Sequence, residues 1–376
     1  MAALAQQLDS LSPEVTQRLL AHGFDRARLE RLGAALARGQ IDRGEVTGRI
    51  EPPAPGDVAE LPAPGTPEYR ELEERGAAAL RNGEVALVVL AGGMATRMGG
   101  VVKALVEALP GKTFLELRLA EIAALARRYG KAPPLWLMTS AATDAGIKAA
   151  LGARRDGEHI ATFTQQLSLR LNRDGSLFLD AQGHPSEHAP GHGDLPDALK
   201  QSGLLKRFLD GGGTTLLITN LDNLGGTLDP AVLGFHLAHG KQVTSEVVEK
   251  LAEDRGGIPV RVDGKLRVLE EFRIPKSFDP MTVRVFNTNT FHVNAQALQD
   301  LDMEWRFFAV EKKVDGTPVV QFERIVNEIT DVLSTVYLCP PRTGPAARFL
   351  PVKDPEELER RRSEIETVVK ARGILT

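Results

Sequence analysis

Apolar residues in this chain fall into short uncharged runs, separated by stretches in which they recur at helical spacing. Val85-Ala86-Leu87-Val88-Val89-Leu90 and Thr214-Thr215-Leu216-Leu217-Ile218-Thr219 carry no charge and are rich in β-branched and aliphatic side chains, which predicts strands buried on both faces of a parallel sheet. Leu135-Trp136-Leu137-Met138 predicts another strand. Leu115, Leu119 and Ile122 predict a covering helix over residues 113–128, and a further helix is expected from about Thr143. This alternation predicts an α/β fold built on a doubly wound, mixed but mostly parallel sheet, with ligands at the carboxyl ends of its strands. Residues 243–293 instead hold short runs broken by Gly256-Gly257 and Asp263-Gly264, which predicts a small antiparallel extension covering the substrate.

The flanks read differently. Ser12-Pro13-Glu14 is a helix start, and Arg/Leu/Ala-rich sequence carries that helix to about residue 38. Five prolines within 51–66 predict an extended connector. Thr66-Pro67-Glu68 starts a helix that ends at Asn82-Gly83. A densely charged helix, exposed on one face, is expected over 354–371. The expected organisation is a helical segment and connector over 1–80, a catalytic domain over 81–353 and a C-terminal helix over 354–376.

The 376 residues can bury a large core, and a net charge of -4 gives no general attraction to nucleic acid or to an anionic membrane. Cys339 is the single cysteine, which excludes an internal disulfide framework and favours a reducing setting. No basic-then-apolar leader and no apolar run of about 18 residues is present, so the expectation is a soluble, cytoplasmic monomer or small homo-oligomer.

The candidate chemistry begins where the 85–90 strand ends. Gly92 and Gly93 let backbone approach a ligand closely, and the loop continues through Thr96, Arg97, Gly99 and Gly100 to Lys103. Backbone N–H groups with two cationic side chains suit the phosphates of a nucleoside triphosphate. Neither G-x-x-x-x-G-K-[ST] nor G-x-G-x-x-G is present. Leu-Ala-Gly-Gly-x-x-Thr-Arg-Met-Gly resembles the signature loop of sugar-1-phosphate nucleotidylyltransferases, although Ala95 and Val102 stand where those families carry Gly and Pro.

A second candidate is Asn220-Leu221-Asp222-Asn223-Leu224-Gly225, at the end of a buried strand. A buried carboxylate needs a partner. That partner is Mg²⁺, which favours carboxylate oxygens and shares its sphere with phosphates, or a turn that Asp222 caps. Taken singly, other residues have equally plain readings: His192 as an exposed loop histidine, Gln165 as a strand-edge polar group, Asn287 and Asn289 as turn formers, Lys353 as a solvated lysine.

Their order along the chain is what changes this. Asn-x-Asp-Asn-Leu-Gly, Phe163-Thr164-Gln165, Pro190-Gly191-His192-Gly193-Asp194, Gly256-Gly257, Leu269-Glu270, Phe286-Asn287-Thr288-Asn289, Val320-Gln321-Phe322-Glu323 and Arg348-Phe349-Leu350-Pro351-Val352-Lys353 together resemble the UTP–glucose-1-phosphate uridylyltransferase family over about residues 66–355. The resemblance implies a Rossmann-like nucleotidyltransferase core, without the C-terminal β-helix of eukaryotic members. It also implies UTP and glucose 1-phosphate as substrates, UDP-glucose and pyrophosphate as products and Mg²⁺ as cofactor. By the same resemblance Gly92, Gly93 and Arg97 hold the triphosphate, and Lys103 and Lys353 balance charge at the reacting centre. Asp222 holds the metal, Asn220 binds substrate, Gln165 with Gly191, His192 and Gly193 meets the base, and Gly257, Glu270 and Asn287 hold the sugar. Two alternatives stay open: a uridylyltransferase for N-acetylglucosamine 1-phosphate or for many sugars, and a nucleotide-sugar-binding homologue without turnover.

Overall fold

The computed structural model describes residues 2–40, 44–95 and 98–375. Its centre is an eight-stranded sheet. In chain order we number these strands β1 (Val58–Ala59), β2 (Val85–Leu90), β3 (Leu135–Thr139), β4 (Ile160–Thr164), β5 (Thr215–Asn220), β6 (Val243–Glu249), β7 (Val285–Asn294) and β8 (Thr335–Leu338). Across the sheet they run β1-β8-β6-β7-β5-β2-β3-β4. Only β7 opposes the rest, pairing antiparallel with both β5 and β6, so the sheet is mixed and mostly parallel.

Alternate side chains of each strand face opposite layers, because the side-chain period of a strand is 2. Leu87, Val89, Leu135, Leu137 and Leu217 pack under helix Phe114–Tyr129 and the C-terminal helix Pro355–Ala371, while Ala86, Val88, Trp136, Met138, Leu216 and Ile218 pack against Leu195, Leu199 and Leu205. Burial of both faces explains why these strands are uncharged. Among the described residues no helix is long and apolar enough to cross a membrane.

The structure corrects two expectations. The helix expected from Ser12 to about residue 38 is two helices, α2 (Pro13–Ala21) and α3 (Arg26–Ala37), preceded by α1 (Ala2–Asp9). Gly23 breaks it at φ +69°, a left-handed conformation that glycine adopts without strain, and Asp25 caps the restart by accepting the Arg28 N–H. The proline-rich connector is extended as expected, and part of it, β1, pairs in parallel with β8 at the sheet edge. The larger correction concerns 243–293. Its outer runs, β6 and β7, lie inside the main sheet. Only Ile258–Val262 and Lys265–Leu269, joined by Ile50–Glu51, form the separate antiparallel sheet.

Candidate active site

Parallel strands place their carboxyl ends along one edge, and β2, β3, β4 and β5 all end there in matched register. After β2 the Ala91 and Gly92 carbonyls accept the Thr143 and Ser140 hydroxyls at 3.1 and 2.9 Å. A Cβ on Gly92 would lie 2.5 Å from the Gln165 Oε1, so a side chain there would displace the Gln165 amide, whereas Gly93 faces open space. The loop then folds as a hairpin, Met94–Ala95 against Val101–Val102, turning at Gly99 and Gly100 with φ +84° and +74°. Arg97, expected on the triphosphate, lies outside the described residues. The hairpin returns Lys103 so that its N–H meets the Gly93 carbonyl and its ammonium lies 2.7 Å from the Asp222 Oδ2.

The loop carrying Asp222 is held from beneath. Arg118, fully buried on helix Phe114–Tyr129, donates to the carbonyls of Asn220, Asn223 and Gly226 and pairs with Glu121 at 2.9 Å. Glu121 in turn accepts the Leu228 N–H. The buried Asn223 side chain accepts the Leu350 N–H and donates to the Arg348 carbonyl, tying segment 348–350 to the end of β5. Among the described residues no group of three His, Cys, Asp or Glu side chains is placed to hold a metal ion. A hard cation at Asp222 would therefore take its other ligands from phosphate oxygens and water, the usual habit of Mg²⁺.

On one flank, Gln165 donates to the Gly191 carbonyl at 2.7 Å and so bridges the two glycine segments. A Cβ on Gly191 would stand 2.7 Å from the Arg324 carbonyl oxygen, and one on Gly193 would stand 2.6 Å from the Arg324 carbonyl carbon. These glycines are thus fixed by close backbone approach. The partly buried His192 ring accepts the Val326 N–H at Nδ1, which fits a neutral imidazole, and desolvation pushes its pKa down to about 4.

On the other flank, β7 carries a bulge opposite Glu246–Val247, where Asn289 adopts φ +55°. The bulge turns Asn289 to donate to the Asn220 Oδ1 at 2.9 Å. Gly257, Glu270 and Asn287 converge: a Cβ on Gly257 would stand 2.9 Å from the Glu270 Oε1 and 3.4 Å from the Asn287 Nδ2. Burial raises the Glu270 carboxyl pKa, opposed by a hydrogen bond from Asn327.

A family model for UTP–glucose-1-phosphate uridylyltransferase matches residues 49–371, which includes every one of these elements. The chain belongs to this family. Relatives of that name are 32% identical over 309 residues in Encephalitozoon cuniculi, covering 77% of this chain and 60% of the relative, and 30% identical over 302 residues in Solanum tuberosum, covering 76% and 62%. The chain therefore spans about three-fifths of the length of these uridylyltransferases. The fold is similar to UDP-glucose phosphorylase from Trypanosoma brucei, with TM-score 0.75, 23% identity and coverage of 92% and 77% of the two chains. It is also similar to the uridine diphosphate N-acetylglucosamine pyrophosphorylase of the same organism, with TM-score 0.70, 20% identity and coverage of 89% and 75%.

Lys353 stands apart from these groups. Its backbone N–H is accepted by Glu357 at the start of the C-terminal helix, and its side chain is exposed, with no ion-pair partner among the described residues. Arg118, Glu121 and Asn223 are the functional supports that sequence reasoning missed. One signal was available: Arg118 falls three residues after Leu115 and four before Ile122, so it occupies the apolar stripe of its helix. A charge there requires buried partners.

Proposed function

We propose that this chain joins UTP to glucose 1-phosphate, giving UDP-glucose and pyrophosphate. The observation that carries the reading is the Lys103–Asp222 pair, set at the strand ends between a flank with amide and glycine groups and a flank with Glu270 and Asn287. A sugar-phosphate oxygen attacks the α-phosphorus of UTP, a new P–O bond forms, and the bond to the bridging oxygen of the departing pyrophosphate breaks. No covalent intermediate with the protein is needed. The work of the site is to align two anions and to offset their charge.

Each group then has a task. Gly92 and Gly93 admit the triphosphate to the backbone, and Lys103 leaves Asp222 to neutralise phosphate. Asp222 is the residue that would hold Mg²⁺, which when bound supplies further charge neutralisation between the two substrates. Lys353, exposed and without an ion-pair partner among the described residues, is available to the same phosphates. Gln165 faces the uracil edge with His192 beside it, while Glu270 and Asn287 bind sugar hydroxyls. The strand order on either side of β2 supports reading the sheet as a Rossmann-like nucleotidyltransferase core. The lone thiol of Cys339 supports a reducing, cytoplasmic setting. Pyrophosphate release from UTP, Mg²⁺ and glucose 1-phosphate is the direct test; binding of UDP-glucose with no release would favour a homologue without turnover.

A further inference from the structure

The side chain after Gln165 connects the site to the N-terminal helices. Gln166 is 6% exposed, and its N–H donates to the Asp194 Oδ2 at 2.8 Å. Its Oε1 accepts from two guanidinium groups, Arg28 and Arg324, each at 3.3 Å. The buried Arg324 also donates to Asp194 and Asp197, both at 2.6 Å. Through its backbone it brackets the glycine segment: its N–H donates to the Pro190 carbonyl at 2.7 Å, and its carbonyl accepts the Gly193 N–H at 3.0 Å. Arg324 thus ties Gln166 to the segment that receives the Gln165 amide.

Gln166, Asp194 and Arg324 all belong to the body of the protein, but Arg28 comes from α3. Its guanidinium is anchored by Asp25 at 3.1 Å and lies 4.8 Å over the Phe307 ring. The turn before α3 seats on the same strand exit, because the Leu167 N–H donates to the His22 carbonyl and a Cβ on Gly23 would lie 3.2 Å from the Gln166 Cγ. Elsewhere the N-terminal helices pack leucines, Leu4, Leu8, Leu19, Leu29 and Leu36, on Leu167, Leu169 and Leu171, and their polar contacts, Arg18 to Glu187 and the Leu177 N–H to the Gln7 Oε1, do not touch Gln166. Apolar packing holds the helices in place but leaves an amide free to rotate. Two guanidinium donors on one amide oxygen fix which way Gln166 points, and the adjoining backbone carries Gln165.

We propose that Arg28, acting through Gln166, is a positioning residue for Gln165, so that helix α3 governs how tightly and how selectively the site takes a uracil base. This rests on the reading that Gln165 faces the base. Steady-state kinetics of the full chain with UTP and with CTP test it, since the two bases differ in the hydrogen-bonding groups on their ring edge. Arg28→Ala should raise KM for UTP about 5- to 10-fold with kcat and KM for glucose 1-phosphate within about twofold, and should narrow the preference for UTP over CTP. Arg28→Lys, which keeps one donor, should fall between. Gln166→Met removes the acceptor while keeping bulk, so it should reproduce Arg28→Ala, and the double variant should be no worse than the weaker single. A parallel change in kcat and KM with selectivity intact, or wild-type behaviour in both Arg28→Ala and Gln166→Met, overturns the inference. Gln165→Ala separates the premises: if it leaves KM and selectivity for UTP untouched, the base-reading assignment itself fails.

Discussion

The ammonium of Lys103 and the carboxylate of Asp222 lie 2.7 Å apart, although 119 residues separate them in sequence. Both side chains are largely buried, at 20% and 15% exposure, so each is the other's main source of charge compensation before substrates arrive. On the proposed reading, a metal-bound triphosphate would exchange this pair for two new ones, carboxylate to cation and ammonium to phosphate. On that reading turnover would depend on both residues, and on neither as a proton donor.

Asp222→Ala should therefore lower kcat by at least about 10²-fold at saturating Mg²⁺, the scale seen when one preorganised charge-stabilising group is removed. Lys103→Ala should lower kcat more than it raises KM, because compensation is needed most as charge develops. Far-UV circular dichroism should be unchanged in both. An Asp222→Ala enzyme retaining more than about a tenth of wild-type turnover would refute the role given to that carboxylate.

How far this site could be read in advance depended on what each residue must do locally. Val85 to Leu90 and Thr215 to Asn220 are buried on both faces, so their strands are visible as uncharged runs, and Gly92 and Asp222 follow directly from where those runs stop. Strand β7 was hidden because Asn287-Thr288-Asn289 reads as turn chemistry, and in the structure it is a bulge within a ten-residue strand. The placement of β6 was equally hidden, since no local pattern tells a central strand from a strand of an added hairpin. Arg118 and Arg324 could not be placed because their partners are carbonyls and carboxylates remote in sequence, including Asn220 at 102 residues and Asp194 at 130.

Arg118 supplies the next prediction. Its fully buried guanidinium satisfies three carbonyls in the Asp222 loop as well as the buried carboxylate of Glu121. Arg118→Met keeps the length of the side chain but leaves a buried carboxylate unpaired, a change worth about 3–5 kcal/mol. Urea unfolding should show a loss of that order, with kcat falling as the loop loses its anchor. A midpoint within error of wild type would show that the loop is held by other contacts.

The buried histidines set how stability responds to pH. His188 and His236 are 6% and 4% exposed, with pKa values pushed down by burial to about 4 and about 3, and His292 is lowered well below its ordinary value by burial, with His236 and Arg348 adding to the effect. Below the ordinary histidine pKa of 6.5 the unfolded chain binds protons that the folded chain refuses, so stability falls as pH drops through 6.5 toward 4. Glu328 acts in the opposite sense, because burial raises its carboxyl to about 7 and the folded state keeps that proton. The histidines outnumber it, and each net proton is worth about 1.4 kcal/mol per pH unit. Denaturant melts at pH 5 and 6.5 should show the lower stability at pH 5; equal stability would mean that these rings are charged or solvated in the fold.

The sugar preference can be argued from the other flank. Glu270 offers carboxylate oxygens, one of them already engaged by Asn327, and Asn287 offers an amide beside Gly257, where a Cβ would crowd both groups. That set of donors and acceptors matches unsubstituted hydroxyls, and a site built on such hydrogen bonds rejects an analogue that leaves buried polar groups unpaired. An N-acetyl group needs a pocket for its methyl and a partner for its carbonyl. Among Gly257, Glu270 and Asn287 no group is set aside for either. Glucose 1-phosphate should therefore exceed N-acetylglucosamine 1-phosphate by at least about tenfold in kcat/KM, or roughly 1.4 kcal/mol. Both sugars measured with UTP under one set of conditions decide the matter. Equal or reversed preference would remove glucose as the substrate while leaving uridylyl transfer standing, because the Lys103–Asp222 pair and the base-facing flank do not depend on which sugar enters.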